Sequence, residues 1–126
     1  MFEVAVSASF SATHQVRLSD SSYESPHSHD WRVKVTYAGA RLDSSGLLVD
    51  FVAVRARLDA ILANLRDRHL NDLPCFAPAE PTAENVAAHI AHRMAAVPCP
   101  NAELRCVEVE EEPGCYARWL SDTPYT

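Results

Sequence analysis

Phe2, Val4, Val6, Ala8, Phe10 and Ala12 occupy every second position at the start of the chain, and Glu3, Ala5, Ser7, Ser9 and Ser11 fall between them. A period of two means a strand with one buried face. His14 is the next residue in phase, so it leaves the strand on the side of the apolar residues. A second run repeats the pattern: His27, His29, Trp31, Val33, Val35 and Tyr37 alternate with Asp30, Arg32, Lys34 and Thr36. Both histidines of "HSH" therefore share the phase of the buried face.

The period then changes. "LDSSGLLVDF" supplies a turn around Gly46 and an N-cap at Asp50. Phe51, Val54, Leu58, Ile61, Leu62 and Leu65 recur at helical spacing, and the pattern fades near Arg66 to His69. "LNDLPCFAPAEP" is too rich in proline to be helical. Thr82 caps a second helix with Glu84 in its first turn, where the helix dipole favours an acid, and Val86, Ile90, Met94 and Val97 form its stripe up to Pro98. Val107 and Val109 then share a face with Glu111, a turn follows at Pro113 and Gly114, and "CYARWL" closes the chain as a strand. The order strand, strand, helix, helix, strand, strand predicts one α+β domain spanning residues 1–126, with both helices on one face of an antiparallel sheet.

Charge narrows the partners. Lys and Arg number 11 against 17 Asp and Glu, a formal net charge of −6, so no basic field would attract nucleic acid or an anionic membrane. The apolar N-terminal stretch contains Glu3 and alternates, which fits neither a signal peptide nor a membrane span and leads to a cytoplasmic expectation. Cys75, Cys99, Cys106 and Cys115 form no C-x-x-C pair and read as free thiols.

Three inward histidines at strand ends are the first candidate chemistry. In H-x-H on a strand the two side chains leave the same face about 7 Å apart, close enough to converge on one ion if the strand ends bend. A third imidazole from a neighbouring strand completes a three-nitrogen tripod with one open position, the arrangement of catalytic zinc. The alternative is a set of ordinary polar core histidines. Glu111 is the second candidate. Glu108, Glu110 and Glu112 read as a solvated face, whereas Glu111 points inward and needs a partner. Two partners suit it equally: an arginine, or the paired N–H donors on the edge of a pterin or guanine ring.

With these residues assembled, the sequence resembles the 6-pyruvoyl-tetrahydropterin synthase and 6-carboxy-tetrahydropterin synthase family. "FSATHQVRL", "HSHDW", "GLLVDF", "LND", "PTAEN" and "VEVEEEPGCYARW" carry the resemblance, in family order and across nearly the whole chain. It implies the tunnelling fold: a four-stranded antiparallel sheet with two helices on one face, trimers that close a barrel, and two trimers stacked as a homo-hexamer. It also implies Zn2+ on His14, His27 and His29, a pterin-like small-molecule substrate gripped by Glu111, and Thr82 lining the same pocket.

The chain departs from the family pattern at three places. No cysteine lies between His14 and His27, and Glu24 is the reactive candidate before the ligand pair. Ser28 replaces the glycine between the two ligands and adds a side chain at a crowded bend. The Asp-His couple expected before "LN" falls on Arg66 and Asp67, leaving Asp67 and His69 either as a rearranged couple or with His69 capping a helix end. Two functions follow. One is a zinc-dependent lyase on a dihydroneopterin-type substrate, with Glu24, Asp67 or His69 moving protons. The other is a non-catalytic pterin- or purine-binding module of the same fold, and a purely structural ring-forming protein is a more distant third.

Overall fold

The computed structural model of the chain describes residues 1–124. Strands β1 (Phe2–His14) and β2 (His27–Gly39) are followed by helices α1 (Phe51–Ala63) and α2 (Ala83–Ala95), then by strands β3 (Glu103–Glu112) and β4 (Cys115–Leu120). Two short 3-10 turns, Leu70–Asp72 and Pro74–Phe76, take up the proline-rich connection. The four strands form one antiparallel sheet in the order β1-β2-β3-β4.

Alternation does what its period demands. Val6, Phe10, Ala12 and His14 on β1 and Trp31, Val33, Val35 and Tyr37 on β2 are buried on one face. Both helices lie over that face, α1 against β1 and α2 against β3 and β4. Leu58, Leu62, Ile90 and Met94 interlock with the strand residues in a single apolar cluster. The opposite face is charged: Arg118 Nε meets Glu108 at 2.8 Å, and Lys34 and Arg32 lie 4.0 and 3.9 Å from Glu108 and Glu110. These glutamates form the polar face that their phase predicted.

The caps fall where expected. Asp50 accepts from the backbone N–H groups of Val52 and Ala53, and the Thr82 hydroxyl accepts from Asn85 N–H. The ends of the periodic runs differ. Phe2 and Phe51 are about half exposed because each sits at the first position of its element, beyond the reach of the opposite layer. Helix α1 stops at Ala63, so Leu65 is buried in the turn that follows it. Helix α2 stops at Ala95, and Val97 is exposed outside it.

Strand β3 contains two irregularities that a strict alternation does not anticipate. Arg105 is an extra residue opposite the Thr36/Tyr37 step, which lets both Leu104 and Val107 face inward although they differ in parity. Glu111 is the extra residue between the Glu110–Tyr116 and Glu112–Cys115 pairs, so a bulge sits at the residue singled out for chemistry.

Candidate metal centre

Antiparallel pairing of β1 with β2 puts His14 directly opposite His27 and Ala12 opposite His29. All three imidazoles leave the core face at the same end of the sheet. Their rings meet edge to face, with centroids 4.6 Å (His14–His27), 5.3 Å (His14–His29) and 4.5 Å (His27–His29) apart. Trp31 closes the floor, with its ring 4.8 Å from His14 and its indole N–H donating to the Ala12 carbonyl. Glu111 completes the group: one ligand atom from each of His14, His27, His29 and Glu111 lies within 4.8 Å of every other.

Exposure grades across the cluster. The His14 side chain is fully buried, His29 is 15 % exposed and His27 is 36 % exposed. The opening is therefore on the His27 side.

Backbone carbonyls set the tautomers. His14 Nδ1 donates to the Pro81 carbonyl at 2.8 Å, and His27 Nδ1 donates to the Ser25 carbonyl at 3.0 Å. In its neutral form each imidazole thus keeps the Nε2 lone pair free, the arrangement that orients metal-ligating histidines. Burial pushes the His14 imidazolium down from the ordinary histidine range; the Pro81 carbonyl and Glu111 act the other way, while His27 and His29 lower it further.

The contact between His14 and Glu111 tests whether a cation fits. His14 Nε2 lies 2.6 Å from Glu111 Oε1, yet it is a buried nitrogen without a hydrogen-bond partner. With Nδ1 carrying the proton, this contact sets a nitrogen lone pair against a carboxylate oxygen. Two acceptors at that distance repel unless a proton or a metal cation lies between them, and Zn2+ is bound by this mixture of imidazole nitrogen and carboxylate oxygen. The donor set fits a zinc-type cation.

The remaining predicted residues divide. Glu24 is drawn to the rim: its Oε1 accepts from Val16 N–H at 3.1 Å and lies 3.6 Å from His27 Nε2. Thr82 follows Pro81, whose carbonyl holds His14, and its hydroxyl caps α2. Asp67 and His69 are not in the cluster. The Asp67 N–H donates to the Ser11 carbonyl, and His69 Nδ1 meets the Thr13 hydroxyl at 3.0 Å. Thr13 alternates with His14, so it leaves the other face of β1. The capping reading for His69 is corrected: α1 ends at Ala63 with Asn64 as its cap, and His69 precedes the first 3-10 turn without a side-chain cap bond. Ser28 is also corrected. It pairs with Thr13 in regular strand and its side chain is exposed, so no crowding arises between His27 and His29.

Asn71 is a site residue that alternation could not reveal. Its Oδ1 accepts from Gln15 N–H at 2.9 Å and its Nδ2 donates to the Gln15 carbonyl at 2.8 Å, clamping the backbone next to His14. The "LND" motif marked the position without saying what it does.

The sequence profile of 6-pyruvoyl tetrahydropterin synthase matches residues 3–121. A 6-carboxy-5,6,7,8-tetrahydropterin synthase from Synechocystis is 32 % identical over 118 residues, covering 90 % of this chain and 88 % of that protein. Among solved structures, the 6-pyruvoyl tetrahydropterin synthase of Caenorhabditis elegans superposes with a TM-score of 0.82 at 22 % identity, with 96 % of each chain covered. A Plasmodium vivax 6-pyruvoyltetrahydropterin synthase, solved as an alanine mutant of a catalytic glutamate, superposes with a TM-score of 0.78 at 14 % identity, over 94 % of this chain and 96 % of that one. The tunnelling fold expected from the sequence is the fold of these structures.

Proposed function

The chain belongs to the 6-pyruvoyl tetrahydropterin synthase family, and on that premise we propose that it is a zinc-dependent lyase acting on a dihydroneopterin-type substrate, with Glu24 in the place of the catalytic cysteine. His14, His27 and His29 would hold the metal through Nε2. Bound zinc supplies a Lewis acid that polarises the oxygens of the substrate side chain. Glu24 takes and returns a proton on that side chain, and its carboxylate is held for the task by Val16 N–H. Glu111 and Thr82 grip the flat ring, two carboxylate oxygens against two N–H donors.

One observation carries this reading: a carboxylate fixed by the backbone stands 3.6 Å from one of three converging imidazoles, on the exposed side of the cluster. The Plasmodium vivax protein supports it from outside, since a catalytic glutamate is compatible with this fold. No described helix is long and apolar enough to cross a membrane.

Replacing Glu24 with Gln tests the proposal. Removing a general base lowers turnover by about 10²–10⁴-fold, so conversion of dihydroneopterin and its triphosphate should fall by at least about a hundredfold while ligand binding persists. Full turnover by Glu24→Gln would remove Glu24 from the mechanism.

The position of Asp67 and His69, on the edge of β1 away from the cluster, favours the second reading of a pterin- or purine-binding module without turnover. A wild-type protein that binds pterins and converts none would establish it. For assembly we propose the family's trimer of sheets, stacked as a hexamer. Closing three sheets joins the free edge of β4 to the β1 edge of the next copy, where Arg55, Arg66 and the Asp67 N–H, which meet the Ser7, Ser9 and Ser11 carbonyls, would have to give way. Light scattering reads the mass directly.

A further inference from the structure

Tyr37 is the last aromatic residue on the buried face of β2 and is only 3 % exposed. A buried phenol usually finds a hydrogen-bond partner, yet among the described residues the Tyr37 hydroxyl has none. It borders a cavity of about 450 Å³ instead. Burial, with a smaller contribution from Cys99, pushes this phenol up to about 12. The hydroxyl therefore keeps its proton at ordinary pH and stands ready as a donor.

The cavity lies between the start of α1 and the end of α2, where Leu48, Val54, Met94 and Pro98 supply apolar walls. An apolar cavity of about 150 Å³ takes one benzene, so about 450 Å³ leaves room for two fused rings. Arg57 also lines it. One of its Nη atoms donates to the Arg93 carbonyl at 3.2 Å, while its Nε is buried without an acceptor. Two residues thus bring unmet donors to one apolar space. The acids on the same walls are already engaged: Asp43 Oδ1 accepts from Ser45 and Leu47 N–H, and Asp50 Oδ1 accepts from Val52 and Ala53 N–H. Their two negative charges, set against the single positive charge of Arg57, disfavour an anion. The metal centre is far away, since Tyr37 lies ten positions beyond His27 on the same strand, roughly 30 Å at the rise of a strand.

We propose that this cavity is a second binding site, for a flat, uncharged compound of two fused rings that carries a hydrogen-bond acceptor on its edge. The rings lie against Leu48, Val54 and Met94, the acceptor takes the Tyr37 proton, and the Arg57 guanidinium supports the same atom. A carboxylate of equal size would meet the same donors but carry its charge toward Asp43 and Asp50, so neutral compounds are selected over acids. The site is independent of the zinc and pterin reading, because none of its residues belongs to the histidine cluster.

The probe is Prodan, an uncharged naphthyl ketone whose emission shifts to the blue in apolar surroundings, titrated against the intact chain. Acetylnaphthalene and naphthoate then compete with it as an uncharged and an anionic ligand of nearly the same shape. Acetylnaphthalene should displace the dye at a concentration at least about fivefold lower than naphthoate. Tyr37→Phe keeps the ring and removes the donor, and should weaken Prodan about three- to tenfold. Ala53→Trp places an indole in the cavity from an exposed position of α1, and should abolish saturable binding. Both variants are checked for wild-type folding by circular dichroism. Wild type that binds no Prodan, or binds it no better than Tyr37→Phe or Ala53→Trp, would overturn the proposal. Naphthoate displacing the dye as readily as acetylnaphthalene would overturn the choice of an uncharged ligand.

Discussion

Asn71 holds both backbone groups of Gln15, accepting from its N–H at 2.9 Å and donating to its carbonyl at 2.8 Å. Gln15 follows His14, so this clamp fixes the end of β1 where the buried His14 imidazole leaves the strand. Pro81 holds the same imidazole through Nδ1. Two points of the α1–α2 connection, both more than fifty residues from His14 in sequence, thus determine where one imidazole points.

Asn71→Ala removes one donor and one acceptor and leaves two partly buried Gln15 groups unmet. A loss of about 1–3 kcal/mol in stability is expected, read as a lower urea midpoint with an unchanged slope. Zn2+ affinity should fall with it, because His14 is no longer held. An unchanged midpoint would show that water replaces the amide at no cost.

Zn2+ should raise the melting point of the wild-type protein, since a ligand that binds only the native state stabilises it by about 2.7 kcal/mol at a hundred times its dissociation constant. His27→Ala should abolish this gain. His27 is the most exposed of the three imidazoles, so the substitution should leave the melting point of the metal-free protein close to wild type. A Zn2+-dependent rise of equal size in His27→Ala would exclude His27 as a ligand.

His89 on α2 packs edge-on against Phe76, with ring centroids 5.3 Å apart, and burial followed by the charges of Arg93 and His92 lowers its pKa from 6.5. The folded state therefore binds this proton less readily than the unfolded chain does, so stability is intact above about pH 6.5 and is lost as the pH falls below it. Chemical denaturation at pH 7.5 and 5.5 should show a smaller loss for His89→Gln than for wild type. Identical losses would show that His89 contributes nothing to acid sensitivity.

Gly39 ends β2 where the chain passes the Asn101 backbone. A methyl group there would lie 2.1 Å from the Asn101 carbonyl oxygen and 2.7 Å from Leu48 Cδ1. The carbonyl belongs to backbone and cannot rotate aside, so Gly39→Ala should cost about 1–3 kcal/mol or more. A denaturation curve like that of wild type would mean that the Pro100–Ala102 turn yields freely.

Much of this protein is decided by periodicity. Alternation placed His14, His27, His29 and Glu111 on the face that the helices cover, and Asp50 and Thr82 announced both helix starts, because side-chain direction in a strand and capping chemistry are local properties of the backbone. The helix ends were less legible. Leu65 and Val97 keep the helical spacing after the helix has stopped, since an apolar residue can be buried by a turn or exposed beyond one without breaking the pattern.

What the sequence could not contain was distance. Which loop carbonyl meets His14, which amide clamps Gln15, and whether Glu111 turns toward an imidazole depend on strand register, on a bulge and on loops brought together from more than fifty residues apart. Alternation assigned the faces of the sheet; only tertiary packing set the 2.6 Å between His14 and Glu111, because a contact between distant segments is fixed by the shape of everything that packs between them.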